Sequence, residues 1–185
     1  MWDITQHIPS LAIYQQSVCT HYDVRQNVSM RAVIQRVDGA SVRVDDEVVG
    51  SFDGPGLMVL VGVSVDDDSS KCAQLADKIW KLRIFDREKL QARGITVRSD
   101  SKEVAACDAH LPILLISQFT LMADTSRGRR PTWQNAANGA QAEPLINDVI
   151  RALRDLGAQV EKGKFGADMQ ITQVCDGPIT ITLEV

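Results

Sequence analysis

The sequence predicts an α+β fold, a compact single domain of largely antiparallel strands with two main helices. Short runs of alternating polar and apolar residues predict about seven strands. Two stretches that repeat apolar residues every three or four positions predict the helices. With 185 residues, 44% of them hydrophobic and 24% charged, the chain has the length and composition of one globular domain with a real core.

The domain is predicted to span residues 30–185, because residues 1–29 differ in character. They contain one basic residue, Arg25, and two histidines, His7 and His21, among frequent Gln and Ser. Their apolar run is too short for a secretory signal. We expect residues 1–29 to be an N-terminal extension, either disordered or an upstream start ahead of the one at Met30. An ordered regulatory tail is the alternative.

The first half of the domain begins with strands. Arg31–Val37 alternates as a strand does, and Ser41–Val44 with Val48–Phe52 is predicted to form a hairpin around Asp45-Asp46-Glu47. Gly54-Pro55-Gly56 indicates a turn. The run Leu57–Val65 is apolar enough to be covered on both faces.

The first helix follows, capped by Asp68 or Ser69. Its predicted buried stripe is Cys72, Leu75, Ala76, Ile79 and Leu82. Residues Asp86–Leu111 are polar, and they predict a long irregular surface segment with one short strand at Ile95–Val97.

The second half of the domain also combines predicted strands with one helix. Pro112 precedes a predicted strand at Ile113–Leu121, and a second helix has Pro144 near its first turn and Gly157 past its end. The predicted buried stripe of that helix is Leu145, Val149, Leu153 and Leu156. Three strands are expected at the end, Gln159–Lys164, Met169–Cys175 and Pro178–Val185, the last two joined by a hairpin turn at Asp176-Gly177.

Charge and apolar patterning exclude several classes of protein. The longest apolar run has nine residues and contains Gly62 and Ser64, so no membrane span is predicted. A net charge of −4 argues against holding long nucleic acid without specificity, but leaves a local basic patch open. Four cysteines without a CxxC pair indicate reduced thiols and a cytoplasmic protein.

General catalytic and metal-binding patterns are weak. The domain has one histidine, His110, in a polar segment typical of the surface. Asp66-Asp67-Asp68 is interpreted as a solvated turn that leads into a helix. A zinc site at Cys107-x-x-His110 with Cys175 lacks a fourth ligand. No phosphate-binding glycine motif occurs, so neither a cofactor nor a metal is expected.

Three segments carry more information. Ser117-Gln118-Phe119-Thr120-Leu121 ends a buried strand with polar residues, and alternation would place Gln118 and Thr120 on one face; local hydrogen bonds are the plain explanation. Asp176-Gly177-Pro178-Ile179-Thr180 is by itself a turn before a strand. Gly163–Gln170, with Phe165 and Met169, is by itself an ordinary connection.

Taken together and in this order, these segments resemble one family. With Met30–Val37 at the front and with the runs Ala123-Asp124-Thr125 and Gly128-Arg129-Arg130-Pro131 between them, they look like the D-aminoacyl-tRNA deacylases, also called D-tyrosyl-tRNA deacylases. The resemblance covers nearly all of residues 30–185, and its specificity comes from the collinear arrangement of the motifs.

The resemblance implies a function in translation quality control. The family hydrolyses the ester of D-aminoacyl-tRNA to free tRNA and a D-amino acid, rejects the L-form, and is expected to clear glycine mischarged on tRNA(Ala). It acts at the 3′ end of aminoacyl-tRNA without a cofactor, as a homodimer. The Gly177-Pro178 pair is implied to have a cis peptide and to reach the partner's pocket, where its carbonyls accept from the substrate's ammonium group and its backbone blocks an L side chain.

Residue roles are implied in the same way. Ser117, Gln118, Phe119 and Thr120 are expected to form the pocket wall, with Thr120 at the reacting ester. Arg36 is expected to brace the Gly-Pro loop, and Phe165 and Met169 to line the adenosine and aminoacyl site. Arg127, Arg129 and Arg130 are candidates for tRNA phosphate contacts, or else a solvated loop.

The reaction leaves two alternatives. Thr120 has no evident base, so we favour backbone N–H groups near Phe119 and Thr120 as an oxyanion site, with water as the nucleophile and the ribose 2′-hydroxyl assisting. Thr120 as a covalent nucleophile is the alternative.

Two departures from the family pattern leave other functions open. Cys175 stands where the family usually has Asn, and Asp86–Leu111 is longer than usual. The alternative functions are a catalytically inactive module that binds the tRNA 3′ end, a hydrolase of free D-amino acid esters or peptides, and a structural dimer module.

Overall fold

The computed structural model describes residues 29–126 and 128–185, which form the predicted α+β domain. Its strands are β1 (Arg31–Val44), β2 (Glu47–Gly62), β3 (Arg83–Asp86), β4 (Glu103–Ala105), β5 (Ile113–Ser117), β6 (Val160–Lys162) and β7 (Gln170–Glu184). Its helices are α1 (Ser69–Trp80), α2 (Arg87–Ala92), α3 (Ala106–Ala109) and α4 (Gly139–Asp155). Within the described part of the chain, no helix is long and apolar enough to cross a membrane.

The main sheet has five strands in the order β6-β5-β2-β1-β7. Strand β1 is antiparallel to both β2 and β7, whereas β5 is parallel to β2 and β6. The main core forms where apolar residues of α1 and α4 pack with those of the sheet. Because β2, β5 and β6 run in one direction, their carboxyl ends meet at one edge of the sheet.

The sheet also curls to form a second, smaller core. The members of this core are Val37, Ala40, Val42, Phe52, Met58, Leu114 and Ile116. The approach is close, since a Cβ on Gly50 would lie 2.6 Å from the backbone oxygen of Lys162. The β1–β2 hairpin therefore bends over β6, and glycine at position 50 permits that contact.

The turn between β1 and β2 is as predicted, but the strands are longer. Asp45 and Asp46 have φ of 50° and 63°, as a two-residue hairpin turn requires. The prediction of a turn at Gly54-Pro55-Gly56 is wrong, since β2 continues through it and Pro55 pairs with Asp38. The register of the β1–β2 pairing shifts there, which marks a β-bulge. Turns and β-bulges both occur at glycine-rich sequences, so the sequence does not distinguish them.

The predicted hairpin at Asp176-Gly177 is also wrong. Residues 170–184 form one strand that pairs with β1 on both sides of this point, with Cys175 opposite Val37 and Thr180 opposite Gln35. Residues 176–179 consequently bulge out opposite the single residue Arg36. We refer to residues 176–179 as the β7 bulge.

Both main helices lie where the sequence predicts them. Asp68 caps α1 by accepting a hydrogen bond from the Ser70 N–H, and it is one of the two caps that the sequence predicts, while Ser69 is the first residue of the helix. The α1 stripe is buried apart from Leu82, which follows the helix and is half-buried. In α4, Leu153 is buried, while Leu156 lies past the last turn and is 42% exposed.

Asp67 is buried, so the interpretation of Asp66-Asp67-Asp68 as a solvated turn is wrong at its centre. Its carboxylate accepts hydrogen bonds from the Met30 N–H at 3.0 Å, the Ser64 N–H at 2.6 Å and Lys71 Nζ at 2.8 Å. Three donors offset the cost of burying this charge. The carboxylate thus fixes the start of β1 to the start of α1.

The segment Asp86–Leu111 is more ordered than predicted. It contains α2, β4 and α3, and β4 pairs with β3 in a separate two-stranded sheet. No strand forms at 95–97. Leu90 and Val104 are buried in the main core, because two or three apolar side chains suffice to fix a short segment that has too little periodicity to be recognised in the sequence.

Candidate active site at the ends of the parallel strands

Strand β5 ends earlier than the sequence predicts. It stops at Ser117, and Phe119–Met122 forms a 3-10 turn, so the expected alternation of Gln118 and Thr120 along a strand is wrong. The Gln118 N–H still donates to Val61 O at 2.7 Å. Gly62 allows the turn to close over β2, because a Cβ there would lie 2.9 Å from Gln118 O.

A cavity of about 320 Å³ opens at this edge of the sheet. Ser117, Gln118 and Phe119 form one wall, Phe165 and Ala167 from the connection after β6 form another, and the first turns of α4 contribute Gly139, Ala142 and Ile146. Its volume is at the small end of the range for ligand sites, which is about 300–1,000 Å³. The cavity therefore has the size for a small ligand or for one small part of a larger one.

Four of the predicted pocket residues line this cavity, namely Ser117, Gln118, Phe119 and Phe165. Thr120 is not among its lining residues, and its Oγ1 accepts a hydrogen bond of 2.6 Å from Gln118 Nε2. Met169 packs against the second core instead. A Cβ on Gly163 would lie 2.6 Å from Met169 Sδ, so glycine at position 163 leaves room for that side chain.

The α4 residues of the cavity were not predicted as site residues. Gly139 is the first residue of α4, directly after its cap Asn138, and a Cβ there would lie 3.7 Å from the Phe165 ring. The small residues at the start of α4 could have indicated a cavity there, but the sequence alone does not show which loop faces them.

Arg36 holds the β7 bulge. It is 7% exposed, its Nε donates to Asp176 O at 3.1 Å and lies 2.9 Å from the Asp176 carboxylate, and its Nη1 donates to Ile84 O at 2.6 Å. Gly177 has φ of +120°, and a Cβ on it would lie 2.7 Å from Arg36 Nη2. A glycine is required here by both conformation and space.

The expectation of a cis peptide between Gly177 and Pro178 is wrong. No peptide bond of the described residues is cis, so this bond is trans. The trans isomer is favoured by about 0.5–1 kcal/mol before proline. The bulge is exposed, and its side-chain support comes from Arg36, which binds Asp176 rather than the proline.

The β7 bulge lies away from the cavity of its own chain. Arg36 is level with Leu57 and Ile113 across the sheet, whereas the cavity begins four residues further along β5, at Ser117. Four residues of strand span about 13 Å, and β1 and β2 lie between the bulge and β5. The bulge and the cavity of one chain are therefore separate surfaces.

An aromatic pair stands at the mouth of the cavity. The rings of Phe119 and Trp133 meet edge to face, with centroids 5.8 Å apart and planes at 66°. Arg129 and Arg130 are exposed on the preceding loop, whereas the third predicted phosphate contact, Arg127, lies outside the described residues. Trp133 was not predicted as a site residue, although it closely follows the Gly128–Pro131 run.

The ordinary nucleophiles and metal ligands lie elsewhere. Burial raises the pKa of the Cys72 thiol to about 11, and burial also raises the pKa of Cys107, so both thiols stay protonated at neutral pH. Among the described residues, no group of three His, Cys, Asp or Glu side chains is placed to hold a metal ion. The polar side-chain groups that line the cavity are the Ser117 hydroxyl and the Gln118 amide, beside the backbone.

Comparison with known proteins gives consistent matches. A family model described as D-Tyr-tRNA(Tyr) deacylase matches residues 33–184. The D-aminoacyl-tRNA deacylase of Streptomyces coelicolor is 51% identical over 156 residues, which cover 84% of this chain and 100% of that protein. The enzyme of the same name from Mycobacterium tuberculosis is 51% identical over 157 residues, covering 84% and 99%.

Two solved structures share the fold. One, named c-Myc DNA Unwinding Element Binding Protein, has a TM-score of 0.73 and 34% identity, and covers 84% of this chain and 98% of that one. The other, described as a probable eukaryotic D-amino acid tRNA deacylase, has a TM-score of 0.71 at 15% identity, covering 85% and 100%. At that identity the second shows likeness of fold alone.

Proposed function

The chain belongs to the D-Tyr-tRNA(Tyr) deacylase family of ester hydrolases, and from this premise we propose that it hydrolyses D-aminoacyl-tRNA to free tRNA and a D-amino acid while rejecting the L-form. The observation that carries the proposal is the cavity at the end of β5, which the family's motif residues Ser117, Gln118 and Phe119 line together with Phe165. A cavity for one unit suits a terminal aminoacyl-adenosine, with the rest of the tRNA outside.

The proposed chemistry uses the backbone at the end of β5. Phe119 and Thr120 are the first two residues of the 3-10 turn, and the first N–H groups of a helical turn have no acceptor inside it. The turn's hydrogen bonds are made by later N–H groups, among them Leu121 N–H to Gln118 O and Ala123 N–H to Thr120 O. We assign the two N–H groups to the oxyanion that forms when water attacks the ester carbonyl, with the ribose 2′-hydroxyl assisting.

Chiral selection is assigned to the β7 bulge of a second subunit in a homodimer. The bulge is exposed, is fixed by Arg36 and lies away from its own cavity, as a loop that enters a partner's cavity must. Backbone carbonyls at Gly177 and Pro178 would accept from the α-ammonium group, and the backbone would block the direction of an L side chain. Glycine has no side chain to block, so the same site would also clear glycine from tRNA(Ala).

The remaining tRNA contacts are assigned to the basic loop. Arg129 and Arg130 are exposed, and neither is ion-paired within the described residues. Phosphates are the usual partners of such side chains in RNA complexes. Because ribosomes use aminoacyl-tRNA, we assign the enzyme to the cytoplasm, where this activity would protect translation from D-amino acids.

The decisive experiment compares D-tyrosyl-tRNA and L-tyrosyl-tRNA as substrates of the full chain. We expect release of D-tyrosine alone from the wild type. In Gly177→Ala the new Cβ would lie 2.7 Å from Arg36 Nη2, which displaces the bulge, so we expect either loss of D-cleavage or loss of discrimination. The matched control is Gly94→Ala, since Gly94 also has a positive φ, of +77°, with nothing within 4 Å.

Other outcomes would assign the chain differently. Binding of the tRNA 3′ end without turnover of either ester would identify a catalytically inactive binding module. Cleavage of D-tyrosine methyl ester at the same rate as D-tyrosyl-tRNA would identify a hydrolase of free esters. A Gly177→Ala variant that discriminates like the Gly94→Ala control would remove the β7 bulge from the proposed selection.

A further inference from the structure

Trp133 has features that packing within the domain does not explain. The side chain of this large residue is 41% exposed, and its partner Phe119 is 58% exposed. Exposing two adjoining aromatic rings forgoes the burial that such side chains normally gain. Exposed aromatic side chains that adjoin each other are typical of surfaces that contact a ligand or a partner.

Trp133 is held in a fixed position beside the cavity. The loop before it is closed by two backbone hydrogen bonds between Asp124 and Thr132, of 2.8 and 3.0 Å. The Ala136 N–H donates to Trp133 O at 3.0 Å, and the next residue, Ala137, donates to Val63 O of the main core at 2.9 Å. The backbone around the indole is therefore anchored on both sides.

The position of the pair relative to the cavity suggests a ligand that extends outward. Phe119 lines the cavity and contacts Trp133, while Trp133 is not among the lining residues. The cavity has room for one unit, so the next unit of a polymeric ligand must lie outside it. Arg129 and Arg130 are exposed on the loop that ends at Trp133, which supplies positive charge for a connecting phosphate.

We propose that Trp133 stacks on the base of the second nucleotide from the 3′ end of the RNA, while the terminal nucleoside occupies the cavity. This assignment rests on the proposed function and adds a second nucleotide subsite to it. Stacking on an indole accepts any base, because every base has a π-face. Trp133 is then a positioning residue, which acts on binding of the RNA end and not on the reacting ester.

The test compares two esters that differ by one nucleotide, the 3′-O-D-tyrosyl esters of adenosine and of the dinucleotide cytidylyl-adenosine, with the full chain. For Trp133→Ala we expect KM for the dinucleotide ester to rise by about tenfold or more, with kcat and the KM of the mononucleoside ester unchanged. Trp133→Phe should recover part of the loss. Leu156→Ala, at an exposed apolar position on the end of α4, is the control.

Three results would overturn the subsite. They are an equal rise in KM for both esters, no rise for either, and a change in oligomeric state of Trp133→Ala, which would instead make the indole a contact between copies of the chain. Failure of the wild type to cleave either ester would count against the proposed function.

A binding measurement tests the stacking even if the wild type cleaves neither ester. Uncharged cytidylyl-adenosine should quench the tryptophan fluorescence of the wild type, because a base stacked on an indole quenches its emission. Trp133→Phe keeps Trp2 and Trp80, so the quenching should disappear in that variant. Equal quenching in both proteins, or none in the wild type, would remove the subsite.

Discussion

Thr120 shows how a single side chain bears on the choice between two reaction mechanisms. Its hydroxyl accepts from the amide of Gln118 at 2.6 Å, and an amide cannot take a proton from a threonine. A hydroxyl without a base is a weak nucleophile. This observation supports the proposal that water is the nucleophile and that the backbone of the 3-10 turn binds the oxyanion.

We expect Thr120→Ala to keep turnover of D-tyrosyl-tRNA within about tenfold of the wild type, because its hydroxyl has no covalent role in the proposed reaction. Removal of a covalent nucleophile would instead cost roughly 10⁶-fold. Single-turnover rates measure the difference, with Thr125→Ala, at an exposed position, as the control. A loss of several orders of magnitude, together with a D-tyrosyl adduct on the wild type in mass spectra, would assign the nucleophile to Thr120.

Predicted site residues lie together at the cavity where a single segment carries them. Ser117, Gln118 and Phe119 are consecutive, so whatever places one of them at the cavity places all three. Met169 and Trp133 show the limit, because their surroundings depend on how distant segments pack. Met169 turns to the second core, while Trp133 reaches Phe119 across a loop. The periodicity of the sequence does not show which distant segments these two side chains contact.

At the scale of elements, two leucines that lie three residues apart at the end of helix α4 differ in burial. Leu153 is fully buried, whereas Leu156 is 42% exposed. We expect Leu153→Ala to lower the free energy of unfolding by about 2–5 kcal/mol through lost contacts and a cavity. Leu156→Ala should change it by less than about 0.5 kcal/mol. Urea denaturation measures both, and similar losses would contradict the placement of the helix end.

The helices were predictable and the strand boundaries were not, for a physical reason. An amphipathic stripe with a cap, as at Asp68, has few alternative explanations. Glycine-rich pairs such as Asp176-Gly177 supply a positive φ equally well to a hairpin turn and to a bulge. Which one forms depends on the partner strand. Here β1 pairs with both halves of β7, so the chain bulges and continues.

At the scale of the whole molecule, strand β7 is an exposed edge. Most of its residues are exposed, including Val174 at 60%, and no strand of the described residues pairs with its outer backbone groups. Such edges pair or are covered. This agrees with the proposed homodimer, in which the β7 bulge of one subunit completes the cavity of the other.

We expect Val174→Lys to convert the proposed dimer to a folded monomer, because it would place a charged side chain in the apolar part of the β7 edge that the interface would cover. Deacylation should be lost with the dimer. Sedimentation equilibrium and circular dichroism measure association and folding. Leu156→Lys, at another exposed apolar position, should change neither. A wild type that is monomeric yet active would contradict the role given to the second subunit.

The position of β7 also determines how the protein responds to mechanical force. It ends the described domain, with the Val185 N–H bound to Met30 O at 3.2 Å and Glu184 opposite Arg31. A pull on the carboxyl end therefore opens the β1–β7 pairs one after another, as a zipper opens, instead of shearing them all at once. An unfolding machine that grips this end would first pull away Leu183 and Val185, which pack against the main core, and then the β7 bulge. The enzyme would therefore lose the selectivity proposed for the bulge before its helices and central strands unfolded.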